Sequence, residues 1–208
     1  MAAKTKKNIL ETTLALIDKK PFHQISTKEI AKESKIAEIT LFRHFSNKES
    51  LYEMLTSKFF QMIIGFDSND ITCENEFRDR LVKYFSKSIN SNPVQRKLFK
   101  VFLHVGMYRK DIFFKYAKVY EEQIAGPIEQ VVKYGRNHWG YRKNVDIEIS
   151  VRLLINSIGF FNIIQNVFLL RKVKPYDMDV VIQIGVDNLI LFFKITDKAE
   201  LLVKCLDF

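Results

Sequence analysis

Between residues 27 and 48 lie side chains of the types that read a nucleic acid: Thr27, Lys28, Glu38, Ile39, Thr40, Phe42, Arg43, His44 and Lys48. Cationic and hydroxyl groups hold backbone phosphates. At a base edge in the major groove an arginine pairs with guanine, a carboxylate accepts from cytosine N4, and an isoleucine meets a thymine methyl. On that chemistry Thr27 and Lys28 can reach a phosphate from the first turn of a helix. Thr40 can bond a phosphate or a base edge, Arg43 can address guanine or phosphate, and His44 and Lys48 can hold phosphates. Each residue alone has an everyday alternative, since a charged side chain on a short helix is ordinarily just solvated and His44 could be a packed ring. Shared placement on one face carries the reading.

The elements that must position these groups are marked in the same stretch. Ser26 with Glu29, and Ser46 with Glu49, have the S-x-x-E spacing in which a hydroxyl caps one backbone N–H and a carboxylate reaches back to another. Two helix starts are thereby predicted. Ile30, Ala31, Ile36, Leu41 and Phe45 recur at inward-facing intervals, and Ala31 is small enough to let a second helix cross closely. Before them a helix is predicted from Thr5 to Lys19, ended near Pro21. After them one helix is predicted from the second cap to Gly65, followed by helices near 74–91, 94–106, 110–134, 145–171 and 177–196. Asn92-Pro93, Gly106, the Gly135 to Asn144 segment and Lys174-Pro175 supply the breaks. The expected fold is all-α, about nine helices.

The pattern Phe22, Ser26, Ile30-Ala31, Ile36, Thr40-Leu41-Phe42-Arg43-His44-Phe45 and Asn47-Lys48-Glu49 with Leu51 resembles the DNA-binding head of the TetR family of bacterial and archaeal regulators. The detailed match covers about a quarter of the chain. The resemblance implies a three-helix, homeodomain-like helix-turn-helix head over 1–51 and a larger effector-binding and dimerisation body over 52–208. It also implies backbone contacts from Thr40, Phe42, His44 and Lys48. Three positions depart from the family pattern: Pro21 and Lys35 stand where glycine is usual, and Ala37 stands where a Ser or Thr caps the reading helix. At Phe42 the family usually has Tyr, so one implied phosphate bond is missing.

Composition bounds the remainder. The chain has 208 residues, 47% hydrophobic, with only 7 Gly and 4 Pro, which favours long uninterrupted helices. The net charge of +9 is compatible with a polyanionic partner but does not require one. Cys73 and Cys205 form neither a paired framework nor a metal spacing, so no disulfide and no metal are expected. The N-terminal stretch is interrupted by Glu11, Thr12, Thr13 and Asp18, too polar for a signal peptide. The apolar run from Leu153 to Leu170 carries Asn156, Asn162, Gln165 and Asn166, which a membrane span rarely accepts. A cytoplasmic protein without membrane contact is expected.

Aromatics between the head and the last helices point to an apolar effector pocket, with Phe85, Phe102, Met107, Tyr108, Tyr120 and Phe161 as candidates for holding a small lipophilic or aromatic molecule. Each of them has plain core packing as its alternative. The last two long segments look like the pair that forms the family's four-helix dimer interface, with Ile158, Phe161, Phe168, Ile184 and Phe193 as contact residues and Gly159 and Gly185 as points of close approach. The four amides of that run could be polar handles or interhelical hydrogen bonds, the latter preferred. His23, His44, His104 and His138 lie far apart, and no phosphate loop or nucleophile motif is present, so neither catalysis nor a cofactor is expected. The expected function is a ligand-responsive homodimeric regulator, a repressor released from a palindromic DNA operator by a small apolar effector. The alternatives are a DNA-binding structural or partner-recruiting protein without a sensor, and a helical enzyme.

Overall fold

The computed structural model describes residues 2–89, 93–168 and 170–194, apart from the side chains of Pro93, residues 104–108 and Val167. Every regular element among them is helical. In chain order these are α1 (Ala2–Ile17), a 3-10 turn (Phe22–Gln24), α2 (Thr27–Glu33), α3 (Glu38–His44), α4 (Lys48–Gln61), α5 (Glu74–Ile89), α6 (Pro93–Tyr108) and α7 (Lys110–Tyr120). A π turn (Glu121–Ala125) leads into α8 (Gly126–His138), then come α9 (Ile147–Asn162), a second π turn (Ile163–Val167), a 3-10 turn (Leu170–Lys172) and α10 (Met178–Lys194). Because α7, the first π turn and α8 run on without interruption, the described residues form nine helical rods.

Packing divides the chain into two compact units, residues 1–63 with 91–116, and residues 64–90 with 117–208. In the first unit α1 to α4 and α6 close on a core in which Ile9, Ile25, Ile30, Leu41, Leu51, Leu55 and Leu98 are essentially inaccessible. The three-helix head thus shares its interior with α4 and with α6, through Leu98 and Val101. Apolar burial of this kind stabilises by about 1.5–3 kcal/mol per large side chain, and α4 and α6 supply the surface that a head so small lacks. Asp18, just past α1, takes hydrogen bonds or ion pairs from Lys100 Nζ at 2.7 Å and Lys97 Nζ at 3.8 Å on α6.

In the second unit α10 packs against α5 and α9, and α8 against α9. Phe77, Leu81, Ile128, Val132, Val151, Ile158, Ile182, Val186 and Phe193 fill its core. Gly185 suits the close α9–α10 contact, since a Cβ there would stand 3.2 Å from Ile158 Cδ1 and the isoleucine would have to shift by a few tenths of an ångström, whereas a Cβ at Gly159 would meet nothing within 4 Å. The first π turn has a local cause and a local use. Pro127 has no N–H to return to the carbonyl of Gln123 four residues earlier, and that carbonyl instead accepts the Phe66 N–H at 2.7 Å. Gly126 is needed there, because a Cβ would lie 2.9 Å from the Glu121 carbonyl oxygen.

Several predicted boundaries move. The helix expected to run to Gly65 stops at Gln61, and residues 63–68 are irregular. The helix expected over 145–171 ends at Asn162 and passes into the second π turn. Its amides serve the turn that follows more than a neighbouring helix: Gln165 is buried, donates to the Lys174 carbonyl at 3.3 Å and accepts from the Tyr176 N–H at 3.4 Å, while Asn166 donates to Asn162 Oδ1 at 2.7 Å. The segment Ile147–Asn166 is nevertheless long and apolar enough to cross a membrane by length and composition alone. Cys73 is an exposed free thiol, and Cys205 lies outside the described residues.

Candidate nucleic-acid interface

The interface is built from α2 and α3 and the turn between them. α2 starts where the sequence marks it: Ser26 is extended (φ −86°, ψ 156°) and its Oγ accepts the Glu29 N–H at 3.1 Å. The Glu29 carboxylate is further held by Lys20 Nζ at 2.7 Å, and that bond keeps its pKa below the usual carboxylate value. At the other end of α2 the Ile36 N–H reaches the Ala31 carbonyl and the Lys35 N–H reaches the Lys32 carbonyl, each at 3.0 Å. This is the paired-bond closure that requires a left-handed residue. Lys35 is that residue, with φ 57°, so the turn keeps its shape and a lysine bears the strain that glycine would avoid. Asn8 on α1 clamps the same turn by donating to the Ser34 carbonyl at 2.8 Å.

α3 begins at Glu38 with Ala37 as an extended N-cap that offers no side-chain bond, as its methyl group dictates. Another contact anchors this end: the Thr27 hydroxyl donates to Glu38 Oε1 at 2.6 Å, tying the first residue of α2 to the first of α3. Thr27 and Glu38, both expected to face DNA, are thus each other's partners, because the turn brings the two helix starts together. Leu41 and Phe45 point inward and are buried. Ile39 and Phe42 are 65% and 41% exposed, and Arg43 and Lys28 are exposed as well. Residues 39, 42 and 43, spaced i, i+3, i+4, share the outer face of the helix. Thr40 and His44 are half-buried on its flank.

The cap of α4 is a correction. Its N-cap is Asn47, not Ser46: Asn47 Oδ1 accepts the Ser50 N–H at 2.7 Å and Ser50 Oγ accepts the Asn47 N–H at 3.4 Å. The same four-residue spacing, shifted by one, uses Asn and Ser in place of Ser and Glu. Both Asn47 and Ser50 were available in the sequence, but two overlapping frames compete there and only backbone direction decides between them. Lys48 lies over the Phe22 ring at 4.4 Å, with Nζ 3.3 Å from the His23 carbonyl. Desolvation lowers its pKa from the ordinary lysine value. It is half-buried and fixed in place before any ligand arrives.

The other predicted residues fall as follows. Phe102 is buried in the first unit, stacked on Phe59 at 4.8 Å and 4.4 Å from Tyr116, all centroid distances. Phe85 is buried in the second unit and Tyr120 is half-buried there. The side chains of Met107 and Tyr108 lie outside the described residues. Of the expected dimer contacts, Ile158 and Phe193 are buried in the chain's own core, since the inner stripe of α9 and α10 is spent within the protomer. Phe161, Phe168 and Ile184 are exposed, and Phe161 meets Tyr176 edge-on at 5.8 Å. A second, outward stripe accompanies them, with Ile149, Leu153 and Phe160 on α9 and Val180 and Phe192 on α10, each at least 41% exposed.

Comparisons with known proteins bear on the head and on the fold. Residues 9–55 match the family model for bacterial regulatory proteins of the tetR family. Over 54 residues the chain is 43% identical to the uncharacterized HTH-type transcriptional regulator YvkB of Bacillus subtilis strain 168, a stretch that covers 26% of this chain and 29% of that relative's length. Among solved structures, the TetR family regulator PfmR from Thermus thermophilus matches with a TM-score of 0.63 at 13% identity, covering 87% of this chain and 96% of that one. The fatty acid degradation regulator FadR from Bacillus halodurans matches with a TM-score of 0.61 at 16% identity, covering 89% and 94%. FadR from Bacillus subtilis, solved in complex with stearoyl-CoA, matches with a TM-score of 0.58 at 15% identity, covering 88% and 96%.

Proposed function

We propose that the chain, whose residues 9–55 match the tetR family model and whose fold is shared with solved regulators of that family, is a TetR-type homodimeric repressor that grips a palindromic operator and lets go when a small apolar effector binds its larger part. The single observation that carries the DNA reading is the outer face of α3, where Ile39, Phe42 and Arg43 project together from a helix whose opposite side is locked into the core. Lys48 and Thr40 flank that face as phosphate contacts. A head with so few contacts binds weakly alone, and two heads spaced by about a helical turn of DNA supply the rest. The outward apolar stripes of α9 and α10 support a second copy as the partner that spaces them. An operator on the chromosome places the protein in the cytoplasm.

The effector part of the proposal rests on the aromatic content of the chain and on the fold shared with an acyl-CoA-bound regulator. Binding relieves repression if the effector prefers the arrangement in which the two heads no longer match the operator. The test of the core claim is a titration of selected duplex DNA. Lys48→Ala with Thr40→Ala should weaken binding at least tenfold, flatten the salt dependence by about one unit of slope for the phosphate that Lys48 no longer neutralises, and leave helicity and dimerisation unchanged. Unaltered affinity would refute the proposed docking face. Thermal shift with long-chain acyl-CoA and flat aromatic probes addresses the effector separately.

A further inference from the structure

The contact between Thr27 and Glu38 changes what the reading helix has to offer. Glu38 is the sole acidic side chain of α3, hence the group there that could accept from the cytosine amine, and its Oε1 accepts from the Thr27 hydroxyl at 2.6 Å, which holds the carboxylate against the start of α2. Thr27 is engaged in turn. Thr40 and His44 are half-buried at the flank. What faces outward without such a commitment is Ile39, 65% exposed, with Phe42, 41% exposed, one turn further on, and Arg43 beside them. Leu41 and Phe45 of the same segment are buried, so the outward apolar side chains are surplus to folding.

In the major groove the standard base edge with an apolar group is that of thymine, through its C5 methyl. We infer that this regulator selects its operator through thymine methyl groups packed against Ile39 and Phe42, with Arg43 supplying the polar contact. The inference rests on the DNA-binding reading above and adds the chemistry of the sequence that is read. Glu38, held by Thr27, acts as a positioning residue that fixes the start of α3.

The experiment uses the full chain. Selection from a randomised duplex library yields a preferred sequence, and each thymine in it is then replaced singly by deoxyuridine, which removes the methyl and leaves the pairing intact. At one or two thymines of each half-site the replacement should weaken binding about fourfold, the loss expected for one buried methyl. In Ile39→Ala the penalty at its thymine should vanish while circular dichroism stays unchanged. A preferred sequence bound within twofold after deoxyuridine replacement at every thymine would overturn this inference alone. A library from which nothing is enriched would overturn the operator reading together with it.

Discussion

Asp18 holds the end of α1 to α6 through Lys100 and Lys97, and its carboxyl shows how a surface contact becomes a pH dependence. The hydrogen bond from Lys100, outweighing desolvation, lowers its pKa below the ordinary 3.8. A carboxylate whose folded pKa is depressed contributes stability above its unfolded pKa and loses it as pH falls through the folded value. Since the side chain is 44% exposed, the contribution is screened and amounts to less than about 1 kcal/mol. Asp18→Asn should therefore lower the melting temperature slightly at pH 7, and the deficit should shrink as pH drops below 3.8. Thermal unfolding at pH 7 and pH 3 checks it; an equal deficit at both would assign the effect to packing. Of the nine candidate DNA contacts, spacing put Ile39, Phe42 and Arg43 on the outward face of α3, where they are exposed. The mutual bond of Thr27 and Glu38 could not be read, because the pair lies eleven positions apart and meets only once the turn is closed.

The helices were legible as elements because apolar periodicity and caps are local signals. Their ends were less so, because an end depends on competing partners. Asn47 displaces Ser46 as a cap, and π turns at 121–125 and 163–167 interrupt rods that periodicity draws as continuous. Lys35 is the clearest strain at this scale, a non-glycine residue at φ 57° between α2 and α3. Lys35→Gly should stabilise the protein by about 0.5 kcal/mol, the left-handed cost of at least ~1 kcal/mol less the entropy that glycine adds to the unfolded chain. Urea unfolding measures it, and a loss of stability would mean that the lysine side chain contributes more than its backbone costs. Asn8, whose amide clamps the Ser34 carbonyl of that turn, gave no sequence signal, since one asparagine on a polar helix face resembles any other.

At the scale of the whole molecule, α9 and α10 each carry two apolar stripes, one buried within the chain and one facing out. Exposed apolar stripes of this kind support the proposed association of two copies. Ile184, 56% exposed at the middle of α10, is the position from which to test it. Ile184→Asp should raise the dimer dissociation constant by on the order of a hundredfold, as expected when a charge is buried without a partner, and weaken operator binding in parallel with helicity intact. Analytical ultracentrifugation reads the outcome, and an unchanged dimer would move the interface elsewhere. The sequence by itself determined the all-helical class, the helix-turn-helix head and the side chains on the outer face of α3, since periodicity, caps and motif spacing act over a few residues. Only the tertiary structure decided that Ile158 and Phe193 are spent inside the protomer, that α6 completes the core of the head, and that Glu38 is tied to Thr27. A helix records in its sequence that a face is apolar, whereas which surface covers that face is settled by distant segments meeting in space.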